Sequence, residues 1–540
     1  MNSQDDLFRR LEQLNDIGAA LSKERDINRL LENILVAAKT ITHADGGTLY
    51  LLTDDRQHLR FEIMRTDSLN ILLGGTTGNK ISFPEVPLLN ERGEPNNSMI
   101  AAYAAINDST VSITDAYTEA GFDFSGTRKF DETTGYRSTS FLTVPMKNHE
   151  GEVIGVLQLI NAIDSTSGKV CAFSNADRQL AESLASQAAI ALTNRLLITQ
   201  LEQLFESFIG LINLAIDEKS PYTGGHCERV PVLTMMLAEA ASAADTGPLA
   251  NFRMSDKDRY ELKIAGLLHD CGKVTTPVHV VDKATKLQTI FDRIHLIDTR
   301  FEVLKRDAEI DALRRKLAIN LLHDAAAAQK IDAELVHALK VLDEERDFLR
   351  RANIGGESMP ADDQRRVAEI GSKYRWRDPQ GATTDFLSSE EVENLSIRAG
   401  TLTTAERNII NYHIVATIKM LEQLPWPNHL KNVPEYAGGH HERMDGKGYP
   451  NGLTREQMSV QARVMGIADI FEALTARDRP YKDGMKLSQA VSILAKFSKN
   501  GHIDQDLFEV FVRERVFQKY ADAFLDPRQI DEVDVVAVLG

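Results

Sequence analysis

Histidine and aspartate recur in five short segments within the C-terminal half of this chain of 540 residues. The segments are GGHCERV with His226, IAGLLHDCGKVTTP with His269 and Asp270, NYHIVATIKML with His413, AGGHHERMDGKGYP with His440 and His441, and MGIADIFEAL with Asp469. Imidazole nitrogens and carboxylates are ligands that suit Mn, Fe, Zn and similar ions, and one carboxylate can bridge two ions. These residue types therefore indicate metal chemistry, provided that the fold gathers the five segments.

A single His-Asp pair is weak evidence for a metal site. A core histidine followed by an aspartate that caps a helix has the same sequence. His323 and Asp324 form such a pair in LLHDAAAA, where alanines follow instead of Gly-Lys, and we predict a plain helix surface there. From the residues alone, a metal site and a set of ordinary core histidines both stay open. The substrate is not indicated at this point.

The elements that carry these residues are predicted to be helices. His269 and Asp270 end the apolar run KIAGLLHD, where Gly272 breaks the helix. Adjacent residues of a helix point in different directions, so the two side chains cannot stack on one face. They can still converge on one ion near the helix end.

The pattern of apolar residues in the N-terminal part of the chain predicts an α+β domain that leads into a long helix. Residues 5–40 have helical periodicity, and strands follow from residue 46 to 161, with a hairpin turning at Asn148–Gly151. Residues 175–218 are helical with few breakers, and their length favours a coiled-coil-like linker at 175–220 over a buried core helix. The rest of the chain, from about residue 205, is predicted to be mostly helical.

Residues 284–397 differ in character from their surroundings, and we interpret them as an insertion, a name kept below. A long charged helix is followed by the break ANIGGESMPADDQ and by YRWRDPQGATTD, which we predict to be a loop. The expected structure is a helical hairpin with a loose end. No internal repeat of 20 to 50 residues is evident.

Composition bounds the class of protein. A chain of this length exceeds one core, so two or three domains are expected. The net charge of −17 argues against nucleic-acid binding through bulk electrostatics. Cys171, Cys227 and Cys271 form no CxxC pair, which disfavours a disulfide framework and a thiolate zinc site. No apolar run is long enough to span a membrane and the start has no apolar leader, so a cytoplasmic protein is expected.

The order H-x-x-R-V, HD-x-GK, H, HHE-x-x-DG-x-GYP and a later aspartate resembles the HD-GYP domain family of bacterial cyclic di-GMP phosphodiesterases, within the larger HD metal-dependent phosphohydrolases. The resemblance covers about residues 205–283 and 398–500, and HHERMDGKGYP is its most specific part. It implies an all-α HD-GYP domain over 205–540 with a helical insertion. It also implies an enzyme that hydrolyses cyclic di-GMP to pGpG, GMP or both, through attack of a hydroxide that bridges two metals.

The resemblance implies a ligand for each of the five segments. One divalent ion would be held by His226, His269, Asp270 and Asp469, and a second by His413, His440 and His441, with Asp270 bridging the two. Iron and manganese are the metals most expected. Tyr222 stands where some members have a glutamate that supports a third metal, so the chain resembles the two-metal members.

The resemblance also implies catalytic and substrate-binding residues. Asp270 and Lys273 would act in catalysis, Lys273 near the phosphate or the bridging solvent. The nucleotide would be held by Tyr449, Arg479 and Lys482, although TARDRPYK is one residue longer than the usual form. Glu472 replaces an aspartate of the family pattern, and at most it is expected to support the ligands from behind. Glu442 and Asp445 are expected to orient the histidines and the turn.

Residues 16–194 resemble a GAF domain, the small-molecule-binding sensory fold of signalling proteins, and we assign residues 1–194 to it with its N-terminal helix. Asn161, Phe173 and Asp177 fit the pattern of the cyclic-nucleotide phosphodiesterase type. Ala162 and Arg178 replace its lysine and glutamate, so the lysine–aspartate ion pair of that pattern cannot form. The resemblance implies either a small-molecule or cyclic-nucleotide ligand or an unliganded dimerisation scaffold, and a homodimer in both cases.

Three readings of function stay open. The first is a cyclic di-GMP phosphodiesterase regulated by the GAF domain. The second is an HD phosphohydrolase for another cyclic dinucleotide. The third is a degenerate HD-GYP domain that senses the dinucleotide or docks onto protein partners, for which the insertion is a candidate surface.

Overall fold

The computed structural model describes residues 3–219, 225–320, 325–356, 358–378, 380–477 and 484–540. The chain divides into two compact units, Met1–Phe205 and Glu206–Gly540. Among the described helices, none is both long and apolar enough to cross a membrane. The pair His323 and Asp324 lies outside the described residues.

The N-terminal unit is one antiparallel sheet with helices around it. Its helices are α1 Ser3–Lys23, α2 Ile27–Thr42, α3 Ile100–Ile106, α4 Ser125–Thr134 and the start of α5 Asn175–Lys219, with a 3-10 turn at Gly75–Thr77. Its strands are β1 Ala44–Leu52, β2 His58–Thr66, β3 Ile71–Gly74, β4 Val86–Pro87, β5 Val111–Ile113, β6 Phe141–Lys147, β7 Val153–Ile163 and β8 Val170–Cys171. The order across the sheet is β3-β2-β1-β7-β6-β5, with β4 beside β2 and β8 beside β7.

The predicted strand pairs are confirmed. Strand β1 pairs with β2, and β6 and β7 form a hairpin whose turn contains Gly151 at a φ of +82°, a conformation that glycine adopts without strain. One face of the sheet packs its leucines against α2 and α5, with Leu35, Leu49, Leu157 and Leu184 all fully buried. The predicted α+β class is therefore confirmed.

The N-terminal helix is broken, which differs from the single helical stretch expected at residues 5–40. Helix α1 ends at Lys23 and α2 begins at Ile27. Between them Asp26 has an extended backbone, and its carboxylate accepts a hydrogen bond from the Arg29 amide at 3.0 Å. An N-cap of this kind begins a helix in a new direction, and apolar spacing alone does not show it.

The C-terminal unit is helical apart from one small ribbon. After the end of α5 its helices are α6 His226–Ala243, α7 Asp256–Leu268, α8 Val278–Val281, α9 Ile294–Asn320, α10 Ala325–Asn353, α11 Ala361–Lys373, α12 Ser389–Leu395, α13 Thr404–Glu422, α14 Val433–Gly438, α15 Val460–Thr475, α16 Leu487–Lys499, α17 Gln505–Arg513, α18 Val516–Phe524 and α19 Val535–Leu539. Short 3-10 turns span Cys271–Thr275, Arg455–Gln457 and Pro527–Gln529, and the ribbon strands are β9 Arg375–Arg377 and β10 Thr383–Asp385.

The insertion is more ordered than the sequence indicated. Its charged segment forms two antiparallel helices, α9 and α10, which contact each other along their length. The loose end expected after them is wrong, because α11, the β9–β10 ribbon and α12 follow and share a core with α9 and α10. Phe301, Leu349, Ile370 and Phe386 belong to that core. Each ribbon strand has only three residues, too few for a recognisable strand pattern in YRWRDPQGATTD.

The helices that carry the histidines pack around one centre. Helix α6 contacts α7 and α15, and α13 contacts α14 and the 3-10 turn that follows Asp270. At that turn a Cβ on Gly272 would come within 2.0 Å of the His413 carbonyl oxygen. Only glycine allows the turn to approach α13 so closely, which brings the segments of Asp270 and His413 together.

Candidate metal centre

The structure brings together all seven side chains predicted as metal ligands. His226 begins α6, His269 and Asp270 follow α7, His413 lies in α13, His440 and His441 follow α14, and Asp469 lies in α15. His226, His269 and Asp270 form one group, called the first group below, and His413, His440 and His441 form the second group. Within each group, one possible ligand atom per residue lies within 4.8 Å of the others.

Asp270 lies between the two groups. Its Oδ2 atom is 3.1 Å from Nε2 of His226, and its Oδ1 atom is 3.3 Å from Nε2 of His413. Asp469 joins the first group, with Oδ1 at 3.3 Å from Nε2 of His226. One carboxylate therefore faces both groups with different oxygens, which is the arrangement of a bridging ligand.

The ring orientation of most of these histidines is fixed by a hydrogen bond at Nδ1. In His269, His413 and His440 this nitrogen contacts the backbone carbonyl oxygen three residues earlier, at 2.7, 2.6 and 2.6 Å. In His226 it contacts Glu472 Oε2 at 2.5 Å. A carbonyl or carboxylate can only accept, so Nδ1 carries the proton and the Nε2 lone pair points into the centre. Histidines that bind metals commonly show this pattern.

The inward-facing atoms fit a cation. The Nε2 atoms of His226 and His269 lie 3.4 Å apart and both face Oδ2 of Asp270, so a positive charge is needed there, either a proton on His226 or a metal ion that replaces it. Nε2 of His440 is buried and has no hydrogen-bond partner among the described residues. The Oδ2 atom of Asp270 is paired with the Lys273 ammonium and also faces Nε2 of His226 and of His269, at 3.1 and 3.3 Å. These atoms are the donors that a divalent metal would use.

The electrostatics of the two groups differ. Burial opposes charge on His226, yet hydrogen bonds to Asp270, Asp469 and Glu472 outweigh it and raise its pKa well above the ordinary value. The first group thus attracts positive charge. Burial lowers the pKa of His441 to about 4, which keeps its imidazole neutral and available as a ligand.

Lys273 adds a fixed positive charge beside the shared carboxylate. Its Nζ atom lies 2.6 Å from Oδ2 of Asp270, one turn further along the chain. Burial opposes the charge, but Asp270 and then Asp469 raise the pKa of Lys273, so it is an ammonium at neutral pH. Burial likewise opposes ionisation of Asp270, but Lys273 and His269 hold the pKa of Asp270 well below its usual range.

A cavity of about 480 Å³ opens beside the second group. Its lining includes His440, His441, Tyr449, Asp469 and His502. The Tyr449 ring stacks on His441, with centroids 4.9 Å apart and planes at 24°. Cavities of this size hold small organic ligands, and this one has two histidines of the second group in its wall and an aromatic ring at its side.

The loop that contains Gly448, Tyr449 and Pro450, called the GYP segment below, is held in place by contacts within the loop. Glu442 is buried and accepts hydrogen bonds from the amides of Asn451 and Leu453 at 2.7 and 2.9 Å. At Gly448 a Cβ would lie 2.4 Å from the Arg443 amide nitrogen, so only glycine fits. The loop is thereby closed on itself, and it presents Tyr449 to the cavity.

Sequence reasoning missed three polar residues of the cavity wall: Arg443, Lys447 and His502. His502 stacks on Phe497 with centroids 4.5 Å apart and planes at 24°. Gly501, next to it, accepts a hydrogen bond from the Asp445 amide at 3.0 Å, which ties this wall to the GYP segment. No motif in the surrounding KNGHID indicated His502.

Arg479, Lys482 and Tyr222 lie outside the described residues. In the N-terminal unit, Asn161 has a φ of +58° and accepts hydrogen bonds from the amides of Thr139 and Ser140, and Phe173 is buried in the sheet core. These two side chains support the chain before β6 and the packing of α5.

Asp177 has a cationic partner that the sequence did not reveal. Its carboxylate accepts hydrogen bonds from the amide and hydroxyl of Ser174 at 2.8 and 2.7 Å and forms an ion pair with Arg10 of α1. The lysine expected at position 162 is therefore replaced by an arginine from another part of the chain. Only the fold could show this exchange.

Comparisons with known proteins agree with this division. A GAF-domain family model matches residues 26–192, and HD-domain models match residues 223–344 and 389–507. The chain contains a GAF domain and an HD domain. The fold class predicted from the sequence, and the resemblance at the level of these two domains, are thereby confirmed.

Two bacterial phosphodiesterases and a solved GAF-domain structure match parts of the chain. A 3′3′-cGAMP-specific phosphodiesterase of Vibrio cholerae is 43% identical over 81 residues, 15% of this chain and 19% of that protein. A cyclic di-GMP phosphodiesterase of Pseudomonas aeruginosa is 37% identical over 116 residues, 22% of this chain and 27% of that protein. Among solved structures, the GAF domain of an Acinetobacter phosphoenolpyruvate-protein phosphotransferase is 15% identical, with a TM-score of 0.26, and covers 37% of this chain and 99% of that one. The matched segments span less than a third of either phosphodiesterase.

Proposed function

We propose that the chain is a metal-dependent phosphodiesterase that hydrolyses cyclic di-GMP to pGpG, GMP or both. One observation carries the proposal: two groups of ligands share Asp270 and border a cavity that also contains Tyr449. The similarity to named cyclic dinucleotide phosphodiesterases supports the substrate class.

The proposed centre holds two divalent ions, with iron or manganese as the candidates. His226, His269, Asp270 and Asp469 would hold the first, and His413, His440, His441 and Asp270 the second. When bound, such ions supply positive charge that polarises a phosphodiester and makes water a stronger nucleophile at neutral pH. Asp270 would fix the spacing of the two sites, because each of its oxygens faces one group.

Lys273 and Tyr449 are proposed to act on the substrate side of the centre. The ammonium of Lys273 is held by Asp270 and would stabilise negative charge that develops on the phosphate. The Tyr449 ring, stacked on His441, offers a face for a nucleobase. Arg443 and Lys447 lie in the cavity wall and share Asp445 as their partner, so the three leave a net positive charge of one there, in a chain whose net charge is −17. Arg479 and Lys482 stay proposed nucleotide-binding residues.

The long helix α5 supports a proposed homodimer and a route for GAF regulation. Exposed apolar side chains recur along it at alternating spacings of three and four residues, which is the heptad pattern of a coiled coil. They are Ile190, Leu197, Leu201, Leu204, Phe208 and Leu211, with Asn194 at the heptad position between Ile190 and Leu197. A single asparagine at such a position favours two parallel strands in register. We propose that a second copy of α5 covers this stripe and that ligand binding in the GAF domain alters it.

The insertion is proposed to be a surface for protein partners. Leu313, Leu317 and Val336 are exposed on its helices α9 and α10. The proposed domain bounds are 1–194 for the GAF domain, 175–220 for the linker and 205–540 for the HD-GYP domain, with the insertion at 284–397.

A turnover assay with metal analysis tests the catalytic proposal. Purified protein is reconstituted with Mn(II) or, anaerobically, Fe(II), its metal content is measured, and products from cyclic di-GMP and 3′3′-cGAMP are separated by chromatography. We expect the wild type to hydrolyse cyclic di-GMP and the double variant His269→Ala plus Asp270→Ala to lose this activity. The control His429→Ala, at an exposed histidine, should keep it.

Three outcomes contradict the proposal in distinguishable ways. Faster turnover of 3′3′-cGAMP assigns the site to the other dinucleotide. Metal and dinucleotide binding without turnover assigns it to a sensor. Wild-type turnover by the double variant removes the site assignment itself.

A further inference from the structure

We infer that Glu472, clamped by Arg229, is a positioning residue that makes the first group the tighter of the two metal sites. The inference rests on the proposed metal centre but not on which substrate it hydrolyses. Glu472 lies one helical turn after Asp469 in α15, so both carboxylates project from the same face towards His226.

Both oxygens of Glu472 have partners. Oε2 lies 2.5 Å from Nδ1 of His226, and Oε1 accepts from Nε of Arg229 at 2.7 Å and lies 2.6 Å from its Nη2. The Glu472 side chain is only 1% exposed. A buried carboxylate with both oxygens engaged has a single orientation, and that orientation directs Nε2 of His226 at Asp270 and Asp469.

His226 is oriented in a different way from the other histidines with a fixed ring. His269, His413 and His440 each use a neutral backbone carbonyl at Nδ1, whereas His226 uses an anion. A carboxylate at Nδ1 makes the opposite ring nitrogen a stronger electron donor to a metal than a carbonyl does. The first group also contains the carboxylates of Asp270 and Asp469, while the second contains three imidazoles with Asp270 beside them. The Lys273 ammonium beside Oδ2 of Asp270 offsets one of these charges, but Asp469 and the stronger donor His226 still favour the first group.

Arg229 keeps Glu472 in its role. Two nitrogens of its guanidinium, Nε and Nη2, converge on the single oxygen Oε1 of Glu472, and the positive charge compensates the cost of burying the carboxylate. Arg229 in turn packs on the turn that precedes His226, where a Cβ on Gly225 would lie 2.5 Å from Nη1. Gly225 has a φ of +81°, so its lack of a side chain serves both the turn and this contact. Because Glu472 is held by His226 and Arg229, it cannot swing in and become a metal ligand itself.

Metal titration in the full chain tests the inference without any turnover. Mn(II) is added to metal-free protein, and free Mn(II) is followed by electron paramagnetic resonance, which gives the dissociation constant of each step. We expect two steps in the wild type. Glu472→Gln keeps a carbonyl oxygen at Nδ1 but removes the charge, so the tighter step should weaken about 10- to 100-fold while the weaker step changes little.

The controls separate positioning from folding. Glu228→Gln alters an exposed carboxylate two residues after His226 and should leave both steps unchanged. Arg229→Lys keeps the positive charge but loses the two guanidinium nitrogens that contact Oε1 of Glu472. A smaller weakening of the same step is expected. It also serves as the test if Glu472→Gln does not fold. Nitrogen-15 shifts of the imidazoles should show that Glu472→Gln alters the ring of His226 while those of His413 and His440 keep their wild-type shifts.

Equal weakening of both steps, or weakening of the weaker step alone, would overturn the inference. So would a tighter step that keeps its wild-type dissociation constant in both variants. If the wild type binds two ions in the expected order but hydrolyses no cyclic dinucleotide, the proposed reaction fails and the inference stands. If it binds no metal, both fail.

Discussion

Asp270 places its Oδ1 atom 3.3 Å from Nε2 of His413, although the two residues come from different helical segments. The close approach exists because Gly272 lets the turn after Asp270 lie against the His413 carbonyl. The other Asp270 oxygen faces His226. The candidate centre is therefore one unit with a shared carboxylate, and not two separate sites.

Asp270→Asn should impair both metal sites at once. The amide keeps the volume but loses the charge and one of the two oxygens that face the groups. We expect the metal content to fall from about two ions to fewer than one per chain and turnover to fall at least about a thousandfold, as for loss of a central electrostatic group. Elemental analysis and the chromatographic assay check this, with Asp522→Asn, at an exposed position on α18, as the control. Retention of two ions would show that Asp270 does not bridge.

His502 is expected to contribute to dinucleotide binding but not to bond cleavage. His502→Phe keeps the stacking on Phe497 and removes the ring nitrogens of a residue that lines the cavity. Loss of one hydrogen bond of about 1 kcal/mol should raise KM for the dinucleotide about fivefold. Hydrolysis of bis(p-nitrophenyl) phosphate, which has no base, should stay unchanged, as should both activities in the exposed neighbour variant Asn500→Ala. Equal loss with both substrates would assign His502 to the metal centre.

The α5 stripe predicts a dimer that one substitution disrupts. Leu204→Asp removes a leucine worth about 2 kcal/mol from each chain and introduces a charge, so the dissociation constant should rise about a hundredfold or more. Sedimentation velocity over a range of concentrations measures it. Leu196→Asp makes the same change at an exposed leucine outside the stripe and should leave the dimer intact. If both variants dissociate equally, the heptad assignment is wrong.

Arg10 and Asp177 are expected to stabilise the GAF domain as a pair. Both side chains are nearly buried, at 11% and 12% exposed, so removing one partner leaves an uncompensated charge. Arg10→Met and Asp177→Asn should each lower the melting temperature. Their double variant should lose less than the sum, with a coupling of about 1–3 kcal/mol. Calorimetry of the four proteins gives the coupling, and Lys23→Met on the same helix is the control. Additive losses would show that the pair contributes nothing.

Lys286 predicts a pH-dependent stability in the insertion. It is buried against Met359 and the Leu395 carbonyl, and burial lowers its pKa to about 8, against about 10.4 in the unfolded chain. Below pH 8 the ammonium is charged in both states and its burial cost is fully present. Between pH 8 and 10.4 the unfolded chain binds the extra proton, so stability rises with pH.

Lys286→Met should therefore be more stable than the wild type at pH 7, by about 2–4 °C in melting temperature. The difference should shrink as the pH approaches 10, because the wild-type lysine becomes neutral when folded. Scanning calorimetry at pH 7, 8, 9 and 10 follows it. Lys340→Met, at an exposed lysine of α10, should show no such trend. A constant difference from pH 7 to 10 would contradict the prediction.

The parts of the molecule that the sequence could predict are those that local spacing or residue type specifies. Alternating apolar residues placed β1 and β2, and a run without breakers placed α5. The seven candidate ligands came from the resemblance to the HD-GYP family, which rests on five short motifs in a fixed order. Each motif is itself a pattern of a few neighbouring residues.

The parts that were missed depend on contacts between distant segments. Arg10 replaces a lysine expected at position 162, and no local pattern connects α1 with Asp177. Glu472 was expected to support the ligands from behind, but no local pattern connects it with Arg229, which holds it against His226 from another helix. The β9–β10 ribbon was missed because its strands are too short for periodicity to show.

The two ends of the insertion lie close together. Lys283, just before it, bonds both oxygens of Glu406, just after it, and its carbonyl accepts a hydrogen bond from Thr401 at 2.8 Å. The chain therefore enters and leaves the insertion at neighbouring points, and the residues between them form a core of their own. Because its two ends meet and its core is its own, such a segment can be replaced by a short connection without opening the packing around the candidate metal centre.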